Sequence, residues 1–420
     1  MIKKKNLEKR SILIFSTLLL SFFLGLYFNE DGSGGGARID FNETWPYILN
    51  LKNDLIYHYF NWANIHLPLH YILVSLIFRI IENIEIIRFI FCLVSLSIPL
   101  TFYKCLILKF DNVDRNNLFI FACSILLLPT FRYTAIWTNV QITAQIFFLI
   151  SIYFYLIWLK KEKNNKINKY LIFQNLFLGL SVYTRQDYAI YHLFFMILYF
   201  QKLNFFDFIK LAIFVLILAS PGIIFVLDQQ SVLNIKFTLK FQNFLLVNSS
   251  ILSFYLIPIF FLVAINKIDV FTKDLKFFIY SFLFFLILVI ILSSNYDYNY
   301  RLGGGFILKL SLILFTSNYL FYFSCIIGLV LLSYLSKINI NNFIFIFLII
   351  FGYSADVVYQ KYFEPIFIIS LFLLINSNVC REFLKNIKNI YLFLIFNLIY
   401  LISAITNQIY LLSRNISFPL

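Results

Sequence analysis

Apolar runs long enough to cross a bilayer recur along almost the whole chain, and this constrains the fold more than any motif within it. The first covers Ser11–Phe28, and further runs fall at roughly 86–108, 118–135, 139–159, 170–183, 188–201, 211–227, 251–265, 276–294, 310–336, 342–355, 362–377 and 389–412. A helix needs about 20 apolar residues to span a hydrocarbon layer, whereas the strands of a membrane barrel alternate in polarity over about 10. Helices are therefore the expected spanning elements. Only 13% of residues are charged and 61% are hydrophobic, where a soluble domain carries about 25% charged residues. The chain reads as one all-α polytopic membrane domain, residues 1–420, without a sizeable soluble appendage.

The formal net charge of +14 would suit nucleic acid, but the lysines and arginines sit in short loops between apolar runs. There the positive-inside bias explains them, and no nucleic-acid partner is expected. The basic start MIKKKNLEKR, followed by a run long enough to span and by no small-x-small cleavage site, predicts an uncleaved first helix with its N-terminus in the cytoplasm. The segments Lys104–Arg115, Lys160–Lys169, Gln201–Lys210, Asn266–Lys276 and Arg381–Lys388 are basic. All of them fall inside only if Leu67–Ile81 does not cross but lies in the interface as an amphipathic helix. That assumption predicts about 13 spans, with the C-terminus outside and residues 29–81 forming an external loop with juxtamembrane helices.

With this topology the unusual polar residues collect on the outer face. The cysteines show no CxxC spacing and read as packing residues; His58, His66 and His70 are not in HExxH order, so no metal site is expected. In the external loop, Asp40 stands at the start of a helix expected over Phe41–Leu51, either as a general base or as the cap of that helix. Asp31 is the second candidate base. The glycines at 32 and 34–36 lack the strand, Lys-Ser/Thr pair and helix of a phosphate loop, and read as a hinge. His66 opens the interfacial helix at headgroup level. Arg185 either pairs with Asp187 or grips a phosphate with its planar fork. The external runs Tyr296–Gly305, with Arg301, and Gln360–Pro365, with Lys361 and Tyr362, are candidate phosphate contacts or aromatic interface anchors.

Three places resemble the GT-C superfamily, and within it the bacterial aminoarabinose-transferase and protein O-mannosyltransferase-like group. They are Asp40 in a long first external loop, the helix opening His66-Leu-Pro-Leu-His-Tyr, and Lys361-Tyr362-Phe-Glu-Pro at the head of a late run. The sequence departs from the family pattern where Phe41 follows Asp40 and where His66 precedes the proline. The resemblance implies an inner-membrane glycosyltransferase with a periplasmic active site. It would use a polyprenyl-phosphate sugar donor, by inverting transfer, and a glycan, lipid or protein acceptor. Asp40 is then the base, with Asp31 second, and Arg185, Lys361, Tyr362, His66 and Arg301 are the expected phosphate contacts. Carboxylates beside a phosphate would also accept a divalent metal, although nothing in the sequence requires one. Two rival readings are a lipid-linked-sugar transporter, which should show related halves and broken helices at the midplane, and a glycan polymerase.

Overall fold

A computed structural model describes residues 7–64, 66–161, 166–228, 244–294, 303–353 and 357–413. Every long element among them is helical. Eight helices are long and apolar enough to cross a membrane, or up to ten if two bent pairs each count as one span. The protein is thus a multi-pass membrane protein. The helices Phe205–Leu227 and Leu275–Ser293 make the environment plain, because only 11% and 6% of their apolar windows are buried within the protein. A helix that is apolar on every side and still uncovered belongs in lipid.

The span count falls below the expected 13 for local reasons. Pro129 opens a new helix after Leu128, so the run 118–135 bends by 63°. The run 310–336 breaks at Thr316, whose φ is +50°, into Gly305–Phe315 and Tyr319–Lys337. Ile340–Gly352, Lys169–Thr184 and Ala189–Lys202 have 13, 16 and 14 residues, short of the roughly 20 that a bilayer asks. Asparagine, abundant in the loops, starts several of these helices. Asn83, Asn168 and Asn339 each accept a backbone N–H of the first turn, which supplies a partner for donors that a helix cannot satisfy itself. All five cysteines are buried and none forms a disulfide, as packing residues should be.

The chain forms two compact units, Met1–Ile235 with Asn397–Leu420, and Lys236–Phe396. Each gathers its basic loops at one end. In the first unit the Glu8 amide and Ser11 hydroxyl donate to Asn116, Lys160 lies 4.0 Å from Asp111, and Lys202 sits over the ring of Trp158. The N-terminal helix and the loops near 111, 160 and 202 therefore share an end. In the second unit Asn266 donates to Asn389, while Lys267 pairs with Glu382 and Lys337 with Asp274.

Leu69–Ile80 behaves as the loop charges require. Its 12 residues measure about 18 Å, against about 30 Å of hydrocarbon. Its neighbours stay at the end away from the basic loops: Arg79 donates to the carbonyls of Leu51 and Lys52, and Lys52 pairs with Glu82. The return to the basic end is made by the 26-residue span Ile84–Lys109.

In the second unit Phe244–Asn266 is the central helix, with 83% of its apolar window buried. It packs against Tyr319–Lys337 through small residues. A Cβ on Gly328 would stand 2.3 Å from the Ser249 carbonyl oxygen, and the hydroxyls of Ser250 and Ser324 bond across the contact at 2.7 Å. Close backbone approach with hydroxyl bridges is the usual means by which membrane helices adhere.

Candidate active site

The candidate residues of the first unit lie at its end away from the basic loops, and a buried ion pair organises that end. Arg132 and Glu30 are 2% and 6% exposed and meet through two bonds, Nε to Oε1 at 2.7 Å and Nη2 to Oε2 at 2.6 Å. Arg132 also donates to the carbonyls of Ser21 and Leu126. Gly25 makes room for the pair: a Cβ there would sit 2.5 Å from Glu30 Oε2 and 2.6 Å from Arg132 Nη2. The Glu30 carbonyl accepts the Trp137 indole N–H, and the guanidinium of Arg88 lies 4.2 Å from the Trp137 ring centroid.

Asp31 follows directly, and its oxygens are spent on the next helix. Oδ1 accepts the Ser33 amide and hydroxyl, Oδ2 accepts the Arg38 amide, and the Ser33 hydroxyl in turn accepts the Ala37 amide. Together these residues cap the helix Gly36–Asn53. Burial raises the Asp31 carboxyl above its ordinary value; the bonds from Ser33 and Arg38 oppose this, and the charge of Asp40 adds to it. In the glycine run Gly34 and Gly35 hold φ of +76° and +105°, which other residues rarely adopt.

Asp40 is not a cap. The expected helix start at Phe41 is corrected to Gly36, which places Asp40 one full turn inside. There its side chain shares a face with Tyr47, two turns further on. Both act on the Tyr71 hydroxyl in the Leu69–Ile80 helix, and so does Arg185. Burial raises the Tyr71 phenol above its ordinary value, the Arg185 guanidinium opposes that shift, and the charge of Asp40 and the neighbouring Tyr47 phenol reinforce it. Tyr71 is 1% exposed, and its hydroxyl has no hydrogen-bond partner among the described residues. A buried hydroxyl left in this state is costly and calls for a reason. Trp62 walls the group: its ring lies 5.4 Å from Tyr47 and 5.1 Å from Tyr71, and its indole N–H donates to the His66 carbonyl at 2.7 Å. That bond fixes the chain at the point where His66 enters the helix.

Arg185 ends the helix Lys169–Thr184 and forms a two-bond pair with Asp187, at 3.0 Å and 2.7 Å. The pairing with Asp187, one of the two alternatives open from the sequence, is thus present, and the guanidinium also lies within Coulombic reach of Tyr71. The His70 ring lies edge-on to Tyr71, 5.3 Å between centroids, but its nitrogens point elsewhere. Its Nδ1 faces the Thr143 hydroxyl at 2.9 Å and its Nε2 the Thr138 carbonyl at 3.0 Å, so it is a satisfied core residue.

Lys361 and Tyr362 belong to the second unit, in the short turn Gln360–Tyr362. The turn is tied down by a buried polar chain in which Tyr255 donates to the wholly buried Glu364, Gln360 Nε2 donates to the Tyr255 oxygen at 2.8 Å, and the Phe306 amide donates to Gln360 Oε1 at 2.7 Å. Lys361 lies 5.2 Å from the Tyr359 ring centroid, and Tyr362 stacks on Tyr353. Arg301 falls outside the described residues. A recess of about 730 Å³, lined by Phe277, Tyr280, Phe284, Ser333, Lys337 and Phe343 among others, holds none of the candidate residues. No cluster of three or more metal-ligating side chains occurs among the described residues.

Sequence reasoning assigned no role to Tyr47, Trp62 or Tyr71. The spacing of Asp40 and Tyr47 was a usable signal once both were placed in one helix; the convergence on Tyr71 required the tertiary structure. No family model, curated protein or solved structure matches the chain.

Proposed function

We propose that the chain is an integral-membrane glycosyltransferase of the GT-C type. It moves a sugar from a polyprenyl-phosphate donor to a glycan, lipid or protein acceptor at the non-cytoplasmic face. One observation supports this reading: the charges of a carboxylate, Asp40, and a guanidinium, Arg185, act in opposite senses on one buried hydroxyl, that of Tyr71, which has no hydrogen-bond partner among the described residues. Acceptor activation needs the first kind of group and a departing phosphate needs the second. Asp40 removes the proton of the acceptor hydroxyl as its oxygen bonds to the anomeric carbon. The bond from that carbon to the phosphate oxygen breaks on the opposite side, with inversion, and the phosphate leaves with its electron pair beside Arg185. Asp31 has no part in this chemistry because its oxygens hold a helix start. The proposal rests on residues of the first unit alone.

Arg185 supplies the test. A charge-assisted hydrogen bond is worth about 1.5–3 kcal/mol, and every 1.4 kcal/mol is about tenfold in affinity. Arg185→Ala should therefore raise the KM for a polyprenyl-phosphate sugar about tenfold or more, with Arg185→Lys in between and protein levels in the membrane unchanged. A wild-type donor KM in Arg185→Ala would reduce Arg185 to a partner for Asp187.

A further inference from the structure

The recess of about 730 Å³ in the second unit is lined by the helices Leu275–Ser293, Tyr319–Lys337 and Ile340–Gly352. Its edge at the basic end of the unit is Lys337, which pairs with Asp274. The positive-inside bias puts that end in the cytoplasmic leaflet. Leu275–Ser293 is apolar, and only 6% of its window is covered by the protein, so the recess opens to lipid.

Two hydroxyls in the recess are left open. Ser281 and Ser333 line it from neighbouring helices, and neither makes a hydrogen bond among the described residues. Other serines on the helices satisfy themselves: Ser220, Ser293, Ser336 and Ser403 each donate to a carbonyl three or four residues back. A hydroxyl facing hydrocarbon has no water to bond and gains from an acceptor that an occupant brings.

Depth and charge say what the occupant is. Ser333 stands four residues before Lys337, about 6 Å along the helix, and Ser281 six residues after Leu275, about 9 Å. Phe284 and Phe285 line the recess deeper still. The order from the basic end inwards is therefore cation, hydroxyl, apolar ring. A glycerophospholipid has the matching order of phosphate, ester oxygens and chains. Along 267–276 and at 337 four lysines face two aspartates. Lys273 and Lys276 are exposed and form no ion pair among the described residues, and Lys276 shares a helix face with Tyr280 of the recess lining. A basic pocket between spans on the cytoplasmic side favours an anionic headgroup.

We infer that the recess is a binding site for an anionic phospholipid of the cytoplasmic leaflet. Its phosphate lies beside Lys276 and Lys337, its ester oxygens accept from Ser281 and Ser333, and its chains run along Phe284 and Phe285. The site goes beyond sugar transfer and is read without turnover, so it can fail while the glycosyltransferase reading stands, and the reverse.

Native mass spectrometry of the full chain released from detergent micelles tests it, with phosphatidylglycerol and the zwitterionic phosphatidylethanolamine added in turn. Wild type should retain phosphatidylglycerol in preference. Lys273→Gln with Lys276→Gln should lower that retention about tenfold, to the level of phosphatidylethanolamine. Ser281→Ala with Ser333→Ala, which keeps the space and removes both hydroxyls, should lower retention of both lipids severalfold. Lys160→Gln with Lys210→Gln, an equal loss of charge in the first unit, should bind as wild type. Equal retention of the two lipids by wild type, an unchanged retention in either recess variant, or an equal fall in the first-unit control overturns the inference. A second copy of the chain held in place of lipid, and lost when Ser281→Leu fills the recess, would also overturn it and make the recess a protein interface.

Discussion

Asp40→Asn should leave a folded, membrane-inserted protein and lower sugar transfer by about 10²–10⁴-fold, the usual contribution of a general base. The substitution keeps the shape of the side chain and removes only its basicity. It should cost little stability, because Asp40 sits inside the Gly36–Asn53 helix and does not cap it. Asp31→Asn should do the opposite. The carboxylate of Asp31 receives the Ser33 and Arg38 amides on its two oxygens, and an amide can offer only one acceptor. Loss of a cap costs about 0.5–2 kcal/mol and leaves the chemical step intact. Transfer rates and thermal unfolding of the two variants, compared side by side, give opposite rankings. An active Asp40→Asn together with an inactive Asp31→Asn would move the base to Asp31.

Glu30→Gln should be among the most destabilising single changes in the first unit. It leaves the Arg132 guanidinium, 2% exposed, without its counter-charge, and breaking a buried pair by removing one partner costs about 3–5 kcal/mol. Gly25→Ala should approach the same loss by a different route, since the new methyl would occupy the space between Glu30 Oε2 and Arg132 Nη2. Replacing both charges, as in Glu30→Gln with Arg132→Met, should recover much of the stability, because a buried pair contributes little net energy beyond matched uncharged packing. Chemical or thermal unfolding in detergent checks the series. A double variant no better than Glu30→Gln alone would mean that Arg132 acts mainly through its bonds to Ser21 and Leu126.

Hydrophobicity and loop charge made the membrane class legible, because both act over whole segments and survive local error. The same loop charges ask that Leu67–Ile81 not cross, and the helix found there, Leu69–Ile80, has 12 residues, too few for a span; they also put Glu30, Asp31, Arg132 and Arg185 on one side. Helix ends were less legible. Asp40 resembled a cap because it is an acid before an apolar stretch, but the turn at Gly34–Gly35 starts the helix earlier and gives the capping to Asp31 across seven residues of chain. Pro129 and Thr316 cut runs that are continuous in hydropathy. The site itself was half legible. Charged residues stood out against an apolar background, whereas Tyr71 is one of 28 tyrosines, and only the tertiary structure, which brings its buried hydroxyl under the charges of Asp40 and Arg185, distinguishes it.

Sugar transfer is tested most directly by following a labelled donor. Membranes holding the wild-type chain or Asp40→Asn are supplied with a polyprenyl-phosphate sugar labelled in the sugar. Glycan, lipid and protein fractions are then separated and the carrier recovered. In wild-type membranes the label should leave the carrier and appear covalently in one of those fractions, with an equal amount of polyprenyl phosphate released. With Asp40→Asn the label should remain on the carrier. Label that stays on the carrier in both, while moving from one face of the bilayer to the other in wild type, would contradict glycosyl transfer and make the protein a transporter of lipid-linked sugar.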